Sequence, residues 1–157
     1  MEIVIIAIGR TGAAYVRQGL DEYLRRLRHY VSCKVVELSD TRRGRSMPEA
    51  EQKLREGKLI LDQVQQSDIM VLLDERGKQY TSEVFAAWME KKMLSGRKRL
   101  LLVIGGPYGF SKEVYDRADE MVSLSSMTFN HDMVRLFLAE QIYRAYTILR
   151  GEPYHHA

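Results

Sequence analysis

The chain has 157 residues, of which 45% are hydrophobic and 29% charged, as is typical of one soluble globular domain. It contains no apolar run near the ~20 residues that a membrane-spanning helix needs. Its first residues, MEIVIIAIGR, indicate a strand rather than a signal peptide. A single cysteine excludes an internal disulfide, argues against a structural zinc site and is typical of a reducing cytoplasm.

Apolar runs and amphipathic periods alternate along the chain and predict five strands and five helices. The predicted strands cover residues 2–8, 33–38, 68–73, 99–104 and 120–124. The predicted helices cover about 13–29, 48–66, 82–95, 111–118 and 132–149, with Thr81 or Ser82 capping the third and Ser111 the fourth. This order predicts an α/β fold, a single domain with a mostly parallel sheet that helices cover on both faces.

The spacing of apolar residues also predicts which helix faces point inward. The predicted inward residues include Tyr15, Val16, Leu20 and Leu27 in the first helix and Val84, Phe85, Trp88 and Leu94 in the third. The last helix is apolar on more than one face, so we expect the domain core to bury one side and a second copy of the chain to bury the other.

Three predicted strands end in segments that suit a small ligand: Leu73-Asp74, Gly105-Gly106-Pro107 and Leu124–Phe129. The carboxyl ends of parallel strands meet at one edge of a sheet, which is where open α/β proteins bind ligands. Glycines allow a close backbone approach, and leucines could sandwich a flat ring. The pattern favours an adenine-bearing ligand, although ordinary connecting loops would show the same features.

Other kinds of site have little support. The turn Gly9-Arg10-Thr11-Gly12 lacks the full G-x-G-x-x-G spacing of dinucleotide-binding proteins, so it indicates a plain strand-to-helix turn. The sequence has neither a phosphate-binding P-loop nor the G-x-S-x-G elbow of a hydrolase. None of the four histidines has metal-ligand spacing, so we expect no metal site.

Two segments resemble the signature motifs of SPOUT-class RNA methyltransferases. Residues 102–111 (LVIGGPYGFS) resemble the IGGP-x-G-hydrophobic-S motif, and residues 124–129 (LSSMTF) with His131 and Val134-Arg135 resemble its LS-x-hydrophobic-T-hydrophobic-x-H partner. Further segments resemble one branch of that class, and they cover essentially the whole chain: EYLRR (22–26), RGR (43–45), LD (73–74), GK (77–78), LAEQIYRA (138–145) and PYH (153–155).

The resemblance implies an α/β knot fold and a cofactor. One SPOUT domain of residues 1–157 would carry a deep C-terminal trefoil knot at about 99–150 and a tail at 151–157. The knot loops would hold S-adenosyl-L-methionine. By matching position, the cofactor-binding residues would be Leu73, Gly105, Leu124, Ser125, Ser126, Met127, Thr128 and Phe129.

The same resemblance implies a substrate and partners. The branch acts in the cytoplasm as a homodimer on 23S rRNA in the assembled 70S ribosome. There it methylates N3 of a pseudouridine in the helix 69 loop, position 1915 in the usual rRNA numbering. It uses no metal and binds no membrane. Phosphate contacts would come from seven arginines in the first 58 residues, which carry a net charge of +4: Arg10, Arg17, Arg25, Arg26, Arg42, Arg43 and Arg45.

The N3 atom of pseudouridine carries an imide proton that must leave, so a base or a charge-stabilising cation is needed nearby. The polar residues that suit this role are His131, Arg135, Arg144, Tyr154 and His155. We expect Arg135 or Arg144 to stabilise charge or phosphate, and Tyr154-His155 to cover the acceptor base. The alternatives are that Arg144 forms an ion pair at a dimer interface and that His131 only caps the last helix.

Two other functions fit the same sequence. One is a non-catalytic ribosome-binding or assembly module that keeps the fold. The other is a flavodoxin-like nucleotide-binding domain with no RNA contact. Cofactor titration would separate the first from an enzyme. Charge reversal in the predicted basic loop at 39–47 would test the second.

Overall fold

A five-stranded parallel sheet forms the centre of the computed structural model, which describes residues 1–39 and 46–156. Its strands are β1 (Glu2–Ile8), β2 (Ser32–Leu38), β3 (Ile69–Gln79), β4 (Arg99–Ile104) and β5 (Glu120–Ser123). The strand order is β2-β1-β4-β3-β5, and every neighbouring pair is parallel. The predicted fold class is therefore confirmed.

Five helices connect the strands and cover both faces of the sheet. They are α1 (Ala14–Leu27), α2 (Glu49–Leu61), α3 (Ser82–Met93), α4 (Lys112–Arg117) and α5 (His131–Leu149). One core contains residues of α1, α3 and α5 against one face, and a second contains residues of α2 and α4 against the other. Burial of both faces explains why the inner strands are almost continuously apolar.

Helix ends follow the predicted capping chemistry in two places. The Thr81 hydroxyl accepts from the Val84 N–H at 3.2 Å, and the Ser111 hydroxyl accepts from the Val114 N–H at 3.4 Å. These oxygens satisfy backbone donors that have no partner within the first helical turn. The two caps start α3, which follows β3, and α4, which follows the glycine turn after β4.

Three side chains predicted to face inward are exposed: Tyr15 by 69%, Val84 by 50% and Leu94 by 80%. The buried stripe of α3 is centred near Phe85 and Met89, and Val84 lies about 100° around the helix from Phe85, outside that stripe. Tyr15 stands in the same relation to the buried stripe of α1, and Leu94 follows the end of α3 as its C-cap. The helical spacing of the buried residues agrees with the prediction, but the buried face of each helix is narrower than predicted.

The third strand is longer than predicted. The polar run Asp74-Glu75-Arg76-Gly77 predicts the end of this strand at residue 73, but β3 continues to Gln79. Its pairing with β5 shifts, because Leu73 and Lys78 both lie opposite Val122. A Cβ atom at Gly77 would lie 2.6 Å from backbone atoms of Val122, so glycine is needed for this close approach. The polar run forms an irregular strand because β5 supplies its pairing partner.

In the part of the chain that the structure describes, no helix has both the length and the apolar character needed to cross a membrane.

Candidate active site

The carboxyl ends of three adjacent strands bring the predicted cofactor segments together. Leu73 of β3 pairs with Ile104 of β4 on one side and with Val122 of β5 on the other. Gly105 directly follows Ile104, and Leu124 follows β5. Segments separated by up to about 50 residues in sequence therefore meet at one sheet edge, as the pattern of strand ends predicts.

The glycine turn after β4 is built for close packing. A Cβ atom at Gly105 would lie 2.9 Å from the ring of Phe110, and one at Gly106 would lie 2.5 Å from a carboxylate oxygen of Glu56. The Gly109 N–H donates to the Gly106 carbonyl at 3.2 Å, and Gly109 has a φ of +79° that glycine adopts without strain. At Gly105 and Gly106 the backbone of this turn therefore packs too closely for a side chain.

A cleft of about 250 Å³ opens beside this edge, between α3, α5 and the end of β5. We call it the α3–α5 cleft. Its lining residues are Tyr80, Ser82, Phe85, Val122, Ser123, Leu124, Phe129, Phe137 and Gln141. The lining combines aromatic and aliphatic surface with a few hydroxyl and amide groups, which is the usual make-up of a small-molecule site.

The loop that follows β5 contributes its two ends to the cleft. Leu124 and Phe129 line it, and the Phe129 ring packs on Phe137 with centroids 5.0 Å apart. Ser125, Ser126, Met127 and Thr128 are not among the lining residues. In this loop the Ser123 hydroxyl donates to the Ser125 carbonyl at 2.9 Å, and the Met127 N–H donates to the Ser125 hydroxyl at 3.0 Å. The cofactor roles of the eight predicted residues stay predictions.

Beside the cleft, the C-terminal tail folds back onto α5 and α3. The side chains of Glu83, Glu140, Arg144, Tyr154 and His155 form one hydrogen-bonded group, which we call the tail network. One Glu140 oxygen accepts from Arg144 Nη2 at 2.6 Å and from the Tyr154 hydroxyl at 3.0 Å. The fold thus assembles three of the predicted reaction residues: Arg144, Tyr154 and His155.

The tail is anchored on α1 as well. The Tyr30 hydroxyl donates to Glu152 at 2.6 Å, and the hydroxyls of Tyr23 and Tyr154 lie 3.0 Å apart. The Tyr154 ring also packs edge-on against Tyr143 with centroids 4.8 Å apart. These contacts hold the tail in a defined position.

Protonation states in the tail network follow from its contacts. Burial and the hydrogen bonds with Tyr23 and Glu140 raise the pKa of Tyr154, so its hydroxyl keeps its proton at neutral pH. The hydrogen bond to Glu140 raises the pKa of Arg144. Tyr154 is therefore a hydrogen-bond donor and Arg144 a permanent cation.

The tail network and the cleft are joined by hydrogen bonds. The Ser82 hydroxyl donates to the Gln141 amide oxygen at 3.0 Å, and the Gln141 amide donates to Glu140 at 3.0 Å. Ser82 and Gln141 line the cleft, whereas their chain neighbours Glu83 and Glu140 belong to the tail network. The cleft and the tail network are therefore held next to each other.

Arg135 and His131 lie elsewhere. Arg135 is 1% exposed, and its guanidinium donates to the carbonyls of Ile8 and Gly9 and to the side chains of Thr11 and Glu37. His131 is the exposed first residue of α5, about 20 Å along the helix axis from Arg144. Asn130, not His131, caps α5 by accepting from the Asp132 N–H at 2.8 Å. Catalytic roles for Arg135 and His131 stay predictions.

The sequence left open that Arg144 forms an ion pair with a second chain. In the structure a carboxylate of the same chain already pairs with Arg144. Glu140 lies one helical turn earlier and binds the guanidinium directly. This i, i+4 spacing of opposite charges is visible in the sequence and was the signal for Glu140. No local pattern points to Glu83, Ser82 or Tyr23, because they approach the tail only through helix packing.

The predicted phosphate-contacting arginines are in different environments. Arg10 is exposed, whereas Arg17 donates to the carbonyls of Thr11 and Gly12. Arg25 and Arg26 both form ion pairs with Glu22. The remaining predicted contacts, Arg42, Arg43 and Arg45, lie outside the described residues.

Comparison with known proteins defines the class of this fold and site. A family model described as "Predicted SPOUT methyltransferase" matches residues 1–155. Since that match spans nearly the whole chain, the chain belongs to the SPOUT methyltransferase family. Membership implies the C-terminal knot that the sequence motifs also imply.

Within this class the similarity to curated relatives is close. The chain is 51% identical to "Ribosomal RNA large subunit methyltransferase H" of Christiangramia forsetii and of Parabacteroides distasonis, over 156 residues and 99% of both chains in each case. It is 50% identical to the protein of that name from Porphyromonas gingivalis, with the same coverage. The predicted resemblance to this branch is confirmed.

One solved structure shows a similar fold at much lower sequence identity. A probable methylase family protein from Haemophilus influenzae matches with a TM-score of 0.53 and 11% identity, over 99% of this chain and 70% of that one. At this identity the likeness concerns the fold alone.

Proposed function

We propose that this protein methylates large-subunit ribosomal RNA with S-adenosyl-L-methionine as methyl donor. The target is N3 of a pseudouridine in the helix 69 loop of 23S rRNA, position 1915 in the usual numbering, on the assembled ribosome. The observation that carries the proposal is the full-length, 51% identity to relatives named as ribosomal RNA large subunit methyltransferases.

The residues at the sheet edge fit the proposed cofactor. Backbone around Leu73, Gly105 and Leu124 would bind the adenosine, since this edge offers peptide groups beside apolar side chains. The α3–α5 cleft extends from Leu124 and Phe129 toward polar groups on Ser82 and Gln141. When bound, the sulfonium supplies an already activated methyl group, and the protein's main task is to align donor and acceptor.

The tail network supplies the polar groups for the acceptor base. Removal of the N3 proton leaves negative charge on the imide, and the Arg144 cation beside the cleft is placed to stabilise it. The Tyr154 hydroxyl remains protonated and donates a hydrogen bond, so it orients groups and does not serve as the base. We assign the tail the role of covering the base during transfer.

We further propose a homodimer that works in the cytoplasm. On α5 the residue Phe137 is 38% exposed, and Met127 in the adjacent loop is 76% exposed. A neighbouring side of α5, with Leu138 and Ile142, is buried in the core. Partial exposure of apolar residues on one side of an otherwise buried helix supports pairing with a second copy.

The test is to incubate unmodified ribosomes with the protein and S-adenosyl-L-methionine and to map methyl groups in helix 69 by mass spectrometry. We expect one methyl group on the pseudouridine base, lost with Arg144→Met and kept with Arg55→Met, whose guanidinium pairs with Glu51 on the exposed face of α2. A methyl group on another nucleotide would overturn the substrate but not the reaction. No binding of millimolar cofactor in calorimetry would favour a non-catalytic ribosome-binding module.

A further inference from the structure

The tail histidine is held between a cation and a carboxylate. The Nη1 atom of Arg144 lies 2.9 Å from Nδ1 of His155, and Nε2 of His155 lies 2.9 Å from Oε1 of Glu83. The side chain of His155 is only 18% exposed, whereas that of Glu83 is 51% exposed. The imidazole therefore joins α5 to the start of α3.

These contacts define the tautomer of the imidazole. A guanidinium has only donors, so Nδ1 of His155 must accept from Arg144 through its lone pair. The proton of the neutral ring then sits on Nε2 and is donated to Glu83. The reverse tautomer would place two donors against each other at Arg144 and leave the Glu83 carboxylate facing a lone pair.

Glu83 is suited to accept this hydrogen bond because its carboxylate is ionised. The hydrogen bond from His155, helped by the backbone amide in the first turn of α3, lowers the pKa of Glu83. A carboxylate at a helix N-terminus is further stabilised by the helix dipole. Charge-assisted hydrogen bonds of this kind are stronger than neutral ones.

We propose that Glu83 is a positioning residue that acts through the tail: it holds His155 as the Nε2–H tautomer, whose Nδ1 then fixes the guanidinium of Arg144 beside the α3–α5 cleft. The proposal rests on the proposed function, in which the tail covers the acceptor base. Both ring nitrogens of His155 are engaged in this arrangement, so His155 orients Arg144 and does not take the N3 proton.

The link between Glu83 and the cleft is short. Its neighbour Ser82 lines the cleft and binds Gln141, whose own neighbour Glu140 binds Arg144 from the other side. The guanidinium is thus held by groups from two helices and the tail. Loss of Glu83 removes the α3 support and leaves the support from Glu140 in place.

The direct test is NMR of the full-length protein with ¹⁵N-labelled histidine. We expect the His155 signals to show a protonated Nε2 with a slowly exchanging proton and an unprotonated Nδ1. In Glu83→Ala the Nε2 proton should exchange rapidly with water. In Glu83→Gln it should stay protected, because the amide oxygen still accepts. A protonated Nδ1 in the unmutated protein, or an unchanged Nε2 proton in Glu83→Ala, would overturn the proposal.

The kinetic test separates positioning from a loss of structure. We expect Glu83→Ala to lower kcat for methyl transfer about tenfold or more, since small displacements of a reacting group are costly. The dissociation constant for S-adenosyl-L-methionine should not change, and Glu83→Gln should restore most of the rate. Equal kcat values for Glu83→Ala and the unmutated protein would also overturn the proposal.

A matched control exists on α4. Glu113 occupies the same position after the cap Ser111 as Glu83 does after Thr81, and it is exposed. Glu113→Ala removes the same helix-terminal charge and should leave both the His155 signals and kcat unchanged. If the unmutated protein transferred no methyl group, the proposed function would fail, yet the NMR experiment would still decide the role of Glu83.

Discussion

Among single residues, Arg135 is a fully buried charge with several polar partners. Its guanidinium lies 2.8 Å from the Ile8 carbonyl, 2.9 Å from the Thr11 hydroxyl and 3.2 Å from Glu37. On the same first turns of α5, Asp132 accepts from the backbone N–H of Gly12 at 3.0 Å. Together these contacts lock the start of α5 to the turn after β1 and give the buried guanidinium a structural role.

Replacing Arg135 with methionine should destabilise the fold. The change keeps much of the side-chain bulk but removes the donor to the Ile8 carbonyl and the cation that pairs with Glu37, whose carboxylate keeps only its hydrogen bonds from Thr11. Removing one partner of a buried ion pair typically costs about 3–5 kcal/mol, and the partial exposure of Glu37 points to the lower end. Urea unfolding would measure the loss of unfolding free energy.

The control is Arg55→Met, whose guanidinium belongs to an exposed ion pair, and this variant should lose little unfolding free energy. Equal losses in both variants would contradict this account.

A second buried charge makes stability depend on pH. Burial acts to raise the pKa of Asp68, but hydrogen bonds from Arg99 and from the Gln65 N–H outweigh it and lower that pKa. A carboxyl whose pKa is lower in the folded state stabilises the protein above its unfolded pKa. This stabilisation is lost as the pH falls through the folded pKa, that is, from roughly pH 4 downward.

Asp68→Asn should therefore lower the free energy of unfolding at pH 7 and flatten its decrease below about pH 4. Urea unfolding between pH 7 and pH 2 would measure both effects. Asp62→Asn, at the exposed C-cap of α2, serves as the control and should follow the unmutated protein. The explanation would be wrong if Asp68→Asn kept the full acid dependence.

At the scale of elements, the site depends on segments that follow strands rather than on the strands themselves. The glycine turn after β4 packs against Phe110, and β3 bends past Val122 at Gly77. Each approach leaves no room for a side chain, so the backbone itself shapes the sheet edge. The start of α3 and the middle of α5 then complete the α3–α5 cleft.

Gly105→Val should abolish binding of S-adenosyl-L-methionine before it unfolds the protein. Its side chain would lie against the Phe110 ring, which is only 5% exposed and cannot easily move, so the turn must shift instead. Calorimetric titration would measure affinity, and circular dichroism would verify the fold. Gly12→Ala is the control, since its Cβ would meet only ordinary contacts at 3.5 Å. Normal cofactor affinity in Gly105→Val would refute the assigned role of this turn.

For the whole molecule, charge is distributed unevenly. The net charge is +3, and residues 1–58, with 12 Lys/Arg against 8 Asp/Glu, carry +4. A basic surface binds RNA phosphates and releases counterions, so affinity falls with salt. We expect recognition of the ribosomal RNA to use shape and charge on this domain.

Reversing two of these charges should weaken binding to the ribosome. Arg43→Glu with Arg45→Glu should reduce affinity and the slope of its salt dependence, while cofactor binding stays intact. Filter binding at several salt concentrations would measure both. Lys91→Glu with Lys112→Glu makes the same change in net charge on α3 and α4 and should have a smaller effect. Equal losses would point to net charge alone, and unchanged binding in the first variant would show that Arg43 and Arg45 do not contact the RNA.

The sequence by itself determined the elements, the parallel sheet and the family. Apolar runs such as residues 99–104 are local signals, and strand ends such as Leu73 and Gly105 meet because parallel strands share a carboxyl edge. The motifs at 102–111 and 124–129 are contiguous, so they could be recognised without knowing the fold.

Only the tertiary structure decided which polar groups meet. Glu83 reaches His155 across 72 residues of sequence, and Arg135 is buried against the turn after β1 rather than directed to the α3–α5 cleft. The continuation of β3 through a polar run depends in the same way on its partner β5. Such contacts depend on how helices and strands pack over long range, and the local periodicity of a sequence carries no information about that packing.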